Sequence, residues 1–229
     1  MRILVLLLGG VALAAAQPFS FGVKGGVPLT DFVNAVNSDN FGYFSSTNRY
    51  TVGPTVELHL PFGLGVEFDA LYRHLHYSSV SNGVDVLINS STKSGSWEFP
   101  LLLKYRFKAP LVRPFVDGGV AWNTLSGLTQ TVTETVIPSG AVSTSTNSNP
   151  AELRNSTVTG VVLGGGLEIH VPLLRISPEI RYTRWTSPQF QSPSQASIPA
   201  GPSQAPVPSA TGSVSSNQNQ VEFLVGITF

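Results

Sequence analysis

The run Trp97-Glu98-Phe99-Pro100-Leu101-Leu102-Leu103-Lys104-Tyr105-Arg106-Phe107 puts every aromatic residue, with Leu101 and Leu103, at odd positions and every charge at an even one. A period of two over eleven residues is incompatible with an amphipathic helix and describes a strand with two unlike faces. The pattern recurs. Leu64, Val66, Phe68, Ala70 and Tyr72 stand against Gly65, Glu67, Asp69, Leu71 and Arg73. Val161, Leu163, Leu167 and Ile169 stand against Glu168 and His170, and Ile176, Ile180 and Tyr182 against Glu179 and Arg181. In the last nine residues Val221, Phe223, Val225, Ile227 and Phe229 share one face, leaving Glu222, Leu224, Gly226 and Thr228 on the other. An apolar terminus in strict alternation predicts a strand with one face withheld from water.

Eight such strands are predicted: Phe19 to Leu29, Tyr50 to Leu60, Leu64 to His76, Gly95 to Phe107, Pro114 to Leu125, Val158 to Val171, Arg175 to Trp185 and Gln218 to Phe229. Each is longer than the five or six residues usual in soluble sheets and long enough to cross a bilayer when tilted. Their connections alternate. Pro61 to Gly63, Lys108 to Arg113 and Pro172 to Leu174 are short; Thr30 to Arg49, Tyr77 to Ser94, Ser126 to Thr157 and Thr186 to Asn217 are long. This is the short-turn, long-loop rule of a transmembrane barrel. The long loops are rich in Ser, Thr, Asn, Gln and Pro, and the last has a linker-like composition that predicts disorder.

A Pro followed by a large apolar residue opens alternate strands at Pro18-Phe19, Pro61-Phe62, Pro114-Phe115 and Pro172-Leu173. With Phe107 and Phe229 these phenylalanines predict an aromatic girdle at the short-turn rim. Tyr50, Tyr72, Tyr77, Trp97, Trp122 and Trp185 predict a second girdle at the other. Phe115 is out of step with Val116, Val120 and Trp122, which a bulge at Gly118-Gly119 would reconcile.

Composition narrows the function. Only 11% of residues are charged, against roughly a quarter in an average soluble domain. Thirteen basic and thirteen acidic residues cancel, leaving no electrostatic footprint for nucleic acid. Arg2, the apolar stretch Ile3 to Leu13 and the small residues Ala14 to Ala16 have the form of a signal peptide cut before Gln17. With no Cys, neither disulfides nor a lipid-bearing cysteine is expected. The four histidines and thirteen acids show no metal-ligand spacing, the glycine run 164–166 lies within a strand, and no cofactor is expected.

The charged face decides between two architectures. In a lipocalin-like carrier it faces water and the apolar face lines a ligand pocket. Eight strands enclose too narrow an interior for aromatics from every strand, so the apolar face belongs outside, against lipid. Gly22, Gly26, Gly53, Gly65, Gly119, Gly164, Gly166 and Gly226 share the charged face, as a crowded lumen requires. The prediction is an all-β, eight-stranded antiparallel up-and-down transmembrane β-barrel over residues 17–229. Lys24, Glu57, Glu67, Asp69, Arg73, Glu98, Lys104, Arg106, Asp117, Glu168, Glu179, Arg181 and Glu222 then project inward as one ion-paired network. Burying them unpaired costs several kcal/mol each. A filled lumen is the structural version; a narrow pore favouring cations is the functional one.

These features resemble the small bacterial outer-membrane β-barrel family, which includes the transmembrane part of outer membrane protein A. The resemblance implies a monomer among outer-membrane lipid and lipopolysaccharide. It also implies that Phe223, Val225, Ile227 and Phe229 form a signal for the barrel assembly machinery. No peptidoglycan-binding domain follows the last strand, so no cell-wall tether is implied. His76-Tyr77-Ser78, with His74 on the same face, is similar to the His-x-Ser of outer-membrane lipid A deacylases, but no Asp or Glu falls on the matching face to orient a base. A non-enzymatic barrel is therefore expected, with His59 and His170 filling the lumen and the long loops available for surface binding.

Overall fold

The computed structural model describes residues 18–36, 41–45, 49–82, 85–149, 153–190 and 213–229. The predicted signal peptide, residues 1–16, lies outside the described residues, as does 191–212 of the last loop. Thirteen strands are described: β1 (Phe19–Pro28), β2 (Val33–Val36), β3 (Phe41–Ser45), β4 (Thr51–His59), β5 (Leu64–Asp69), β6 (Leu71–Asn82), β7 (Val86–Arg106), β8 (Val112–Val136), β9 (Ala141–Asn147), β10 (Thr157–Val171), β11 (Leu174–Trp185), β12 (Ser213–Ser216) and β13 (Asn219–Thr228). Among the described residues the only helical element is a 3-10 turn at Pro61–Gly63, where Phe62 and Gly63 take φ of 66° and 84°.

Every pairing is antiparallel. β1 pairs with β4, β4 with β5, β5 and β6 with β7, β7 with β8, β8 with β10, β10 with β11, and β11 with β13. β13 returns to β1 through Gly22↔Thr228 to Pro28↔Glu222 and closes the sheet. Closure leaves the barrel no free edge, so every stave finds hydrogen-bond partners on both sides. β5 and β6 are one stave: Phe68↔Leu101 and Leu71↔Glu98 keep a single register. The ladder is nicked at Ala70 because its neighbouring staves carry Pro54 and Pro100, which have no N–H to give; Ala70 N still donates to Pro54 O at 3.0 Å.

Inward and outward positions alternate as the sequence predicts, with three corrections. Phe115 is buried inside the barrel, and no bulge lies at Gly118-Gly119, since Lys104↔Asp117 and Leu101↔Val120 belong to one unbroken register. The register shift falls instead between Lys93 and Gly95, opposite Gly127, whose φ of 60° suits a bulge residue. Tyr77 and Trp185 are also buried inside and leave the outer girdle to Tyr50, Tyr72, Trp97 and Trp122. Tyr72 and Trp97 meet there with ring centroids 5.1 Å apart, and Tyr105 meets Phe107 at the same distance near the opposite rim. Gly119 shows why small residues face inward: a Cβ there would stand 2.0 Å from the Leu101 carbonyl oxygen of the next strand.

Two long connections are more ordered than their composition predicts. Tyr77 to Asn82 with Val86 to Ser94, and Ser126 to Val136 with Ala141 to Asn147, continue as paired strand well past the outer girdle, through β6 with β7 and β8 with β9. Thr- and Val-rich runs such as Thr129 to Val136 have high strand propensity. Polar side chains on both faces remove the apolar alternation by which a strand is recognised in sequence.

Candidate functional site

The lumen is layered along its axis. At its centre Arg181, with no exposed surface, is gripped by three carboxylates: Nε donates to Glu179 at 2.7 Å, Nη2 to Glu67 at 3.2 Å, and Nη1 lies 3.0 Å from Asp69. Lys24 bridges the same three, reaching Glu179 at 3.0 Å and Asp69 at 3.3 Å and donating to Glu67. Lys104 donates to Glu67, lies 3.8 Å from Glu57, and stands 4.5 Å above the Phe115 ring. Arg106 donates to Glu57 and, through Nε, to Glu168 at 2.7 Å. Five acids and four bases from six staves are thus joined through shared ion pairs.

This explains why inward Phe115 is tolerated: it provides a π-face for a buried ammonium. Glycine shapes the same layer. Gly164 sits where a Cβ would come within 2.3 Å of an Asp117 carboxylate oxygen and 3.1 Å of one from Glu179.

All thirteen predicted lumen residues are buried, none more than 6% exposed. They do not form a single network. Arg73 pairs separately with Glu222 at 3.3 Å, nearer the outer end, where Gln220 and Thr51 complete the group. Glu98 and Asp117 make no ion pair among the described residues, and both Asp117 oxygens and Glu98 Oε1 lack a hydrogen-bond partner there. The excess of acids over bases on the inward face leaves these two without cations.

Above the charges is a second layer that the sequence reading missed. Leu75, Tyr77 and Leu125 from the staves pack against Phe32 and Phe190 from the long connections, with Leu128 and Leu153 beside them. Phe190 is fully buried, with ring centroids 5.6 Å from Tyr77 and 6.2 Å from Phe32, both edge-on. Backbone bonds pin the segment: Ser216 N donates to Phe190 O at 2.9 Å, and Asn217 N to Phe32 O at 2.7 Å. Gln189 Nε2 donates to Asn123 Oδ1 on the barrel wall at 2.9 Å. The guanidinium of Arg73 lies 5.3 Å from the Phe32 ring centroid and couples this apolar cork to the polar layer below. The available signal was Phe190 itself, an isolated aromatic in a Ser, Pro and Gln context. A further inward patch of Leu102, Ala121, Val158, Val162 and Trp185 packs the wall.

His74, His76 and Ser78 are half-buried on the outward face of β6 beyond the girdle. His76 Nε2 lies 3.2 Å from Ser91 Oγ. Partial burial, then Lys93 and His74, hold the imidazole below its ordinary pKa. His59 and His170 are half-buried at the short-turn end, beside Glu57 and Glu168 at 3.8 and 3.4 Å.

Outside, the barrel carries an apolar belt. Phe21, Val23, Val56, Leu103, Val116, Leu163, Ile180 and Ile227 are all more than 40% exposed, at positions alternating with the buried charges. A closed antiparallel barrel with ion pairs inside and a hydrocarbon-like wall outside is a protein that crosses a membrane with strands. A model of the outer membrane protein beta-barrel domain matches residues 15–184, and the chain belongs to that family. Solved structures with similarity to it include the outer membrane protein OprG from Pseudomonas aeruginosa, at 12% identity over 92% of this chain and 94% of that one, with a TM-score of 0.45. The attachment invasion locus protein Ail of Yersinia pestis shows 10% identity over 93% and 99%, with a TM-score of 0.37. Neisserial surface protein A shows 12% identity over 93% and 98%, with a TM-score of 0.35. No curated protein matches the sequence.

Proposed function

We propose that the protein is a closed, non-enzymatic structural barrel of the bacterial outer membrane, with a stabilising rather than conducting lumen. The observation that carries this reading is the filling of the axis in two layers. The nine-membered ion-pair cluster occupies the middle, and the aromatic cork around Phe190 covers the outer end. A permeating ion would have to break several buried pairs at once, each costing about 3–5 kcal/mol when one partner is lost.

The chain is exported by the leader at residues 1–16 and inserted by the barrel assembly machinery, with Phe223, Val225, Ile227 and Phe229 as the signal it reads. It stays monomeric among outer-membrane lipid and lipopolysaccharide. The extended hairpins of β6 with β7 and β8 with β9 stand outside the bilayer as surfaces for contact. Planar-bilayer recording tests the reading: wild-type protein and Arg106→Glu both leave the membrane silent. Steady wild-type current whose cation preference shifts in Arg106→Glu would replace it with a cation pore.

A further inference from the structure

The short-turn end of the lumen holds a site that a structural barrel does not require. The turns from β4 to β5 and from β7 to β8 lie side by side, since Leu64 pairs with Tyr105. Between them is a cavity of about 600 Å³, lined by His59, Leu60, Leu64, Arg106, Lys108 and Arg113 among others. This is within the roughly 300–1,000 Å³ of pockets that take small ligands.

The electrostatics of the cavity are one-sided. Its nearest carboxylates, Glu57 and Glu168, are both taken by Arg106. Lys108, Arg113 and Arg175 make no ion pair among the described residues. Arg113 Nε donates to Ala109 O at 3.1 Å, which braces the turn while its terminal nitrogens have no partner among the described residues. Arg175 is held at the edge of the cavity by His59. Its Nη1 donates to His59 Nε2 at 2.5 Å, so His59 carries its proton on Nδ1 and gives it to Pro18 O at 3.3 Å. A neutral imidazole thus fixes the guanidinium without neutralising it. Toward the barrel centre the balance reverses, with acids in excess.

We infer that this vestibule binds a small multivalent phosphate-bearing anion from the short-turn, periplasmic side. Cations gathered without counter-ions in a concave, low-dielectric wall repel one another, and a bound anion relieves that repulsion. Guanidinium forks match phosphate oxygens in pairs, and Lys108 adds a mobile point charge at the mouth. Leu60, Leu64 and Phe107 offer no polar partner on the remaining wall, which favours a compact anion with concentrated charge over an extended polar chain.

Calorimetric titration of refolded protein in detergent micelles with inorganic pyrophosphate tests the inference, with sulfate as the singly tetrahedral control. Saturable one-to-one binding of pyrophosphate, tighter than sulfate, is expected. Lys108→Gln/Arg113→Gln should weaken it at least ten-fold, and Arg49→Gln/Arg184→Gln at the opposite end should leave it unchanged. Heat-modifiable gel mobility reports that each variant is folded, and exposed Lys108→Gln alone, expected to weaken binding several-fold, serves if the double variant fails to refold. No saturable binding, equal affinity for the two anions, or equal loss in both pairs of variants overturns the site and leaves diffuse counter-ion attraction only.

Discussion

Replacing Arg181 with Met removes the cation at the centre of the lumen while keeping most of its volume. Arg181 contacts Glu67, Asp69 and Glu179 within 2.7–3.2 Å and has no exposed surface. Its loss leaves three buried carboxylates sharing Lys24, with Lys104 on Glu67 alone. Breaking one side of a buried ion pair costs about 3–5 kcal/mol, and the cluster should put Arg181→Met in the upper half of that range. Urea unfolding of protein refolded into lipid vesicles, followed by tryptophan emission and gel mobility, measures the change. Adding Glu179→Gln removes one orphaned acid and should recover at least half the loss, because two acids then face Lys24. An exposed control sets the scale. Arg49→Gln breaks the pair with Asp31, both more than half exposed, and should cost under about 1 kcal/mol. If Arg181→Met costs no more than Arg49→Gln, or if the double variant is no more stable than the single one, the lumen charges are hydrated and the pairing argument fails.

Three further outcomes are expected. With single-tryptophan variants in brominated-lipid vesicles, Trp97 and Trp122, at 37% and 39% exposed, should be strongly quenched and Trp185, at 4%, should not; the reverse order would mean that the apolar face is not in lipid. Phe229→Ser should lower the outer-membrane level several-fold in cells while refolding normally into vesicles, and equal cellular levels would remove the assembly-signal reading. Phe190→Ala should cost up to about 3–5 kcal/mol locally, read as faster amide exchange around Leu75 and Leu125 with barrel unfolding nearly unchanged; unaltered exchange would show that the cork does not seal the outer end.

The staves were legible because a barrel wall imposes a period of two wherever lipid is on one side and a crowded polar interior on the other. Glu67, Asp69, Lys104 and Arg106 announced the inward face, and Phe223 to Phe229 the outward one. Where that contrast vanishes, so did the signal. Thr129 to Val136, with Thr at every odd position and Gln, Val, Glu and Val at the even ones, reads as loop, although it pairs along its whole length. Residue type alone places Phe115, Tyr77 and Trp185 in an outward girdle. Parity within the closed register sends them inward, where Lys104, the cork and the wall patch receive them.

From local order of residues alone came the class of the chain, its eight staves and the identity of the charges enclosed, since each is dictated by neighbours two positions apart. Which acid meets which base, why Glu98 and Asp117 are left over, how Phe32 and Phe190 close one end and how three cations gather at the other were settled only by closure. Those contacts join staves up to 155 residues apart in the chain, as Lys24 joins Glu179, and strand stagger around the barrel, which no local pattern encodes, sets their heights.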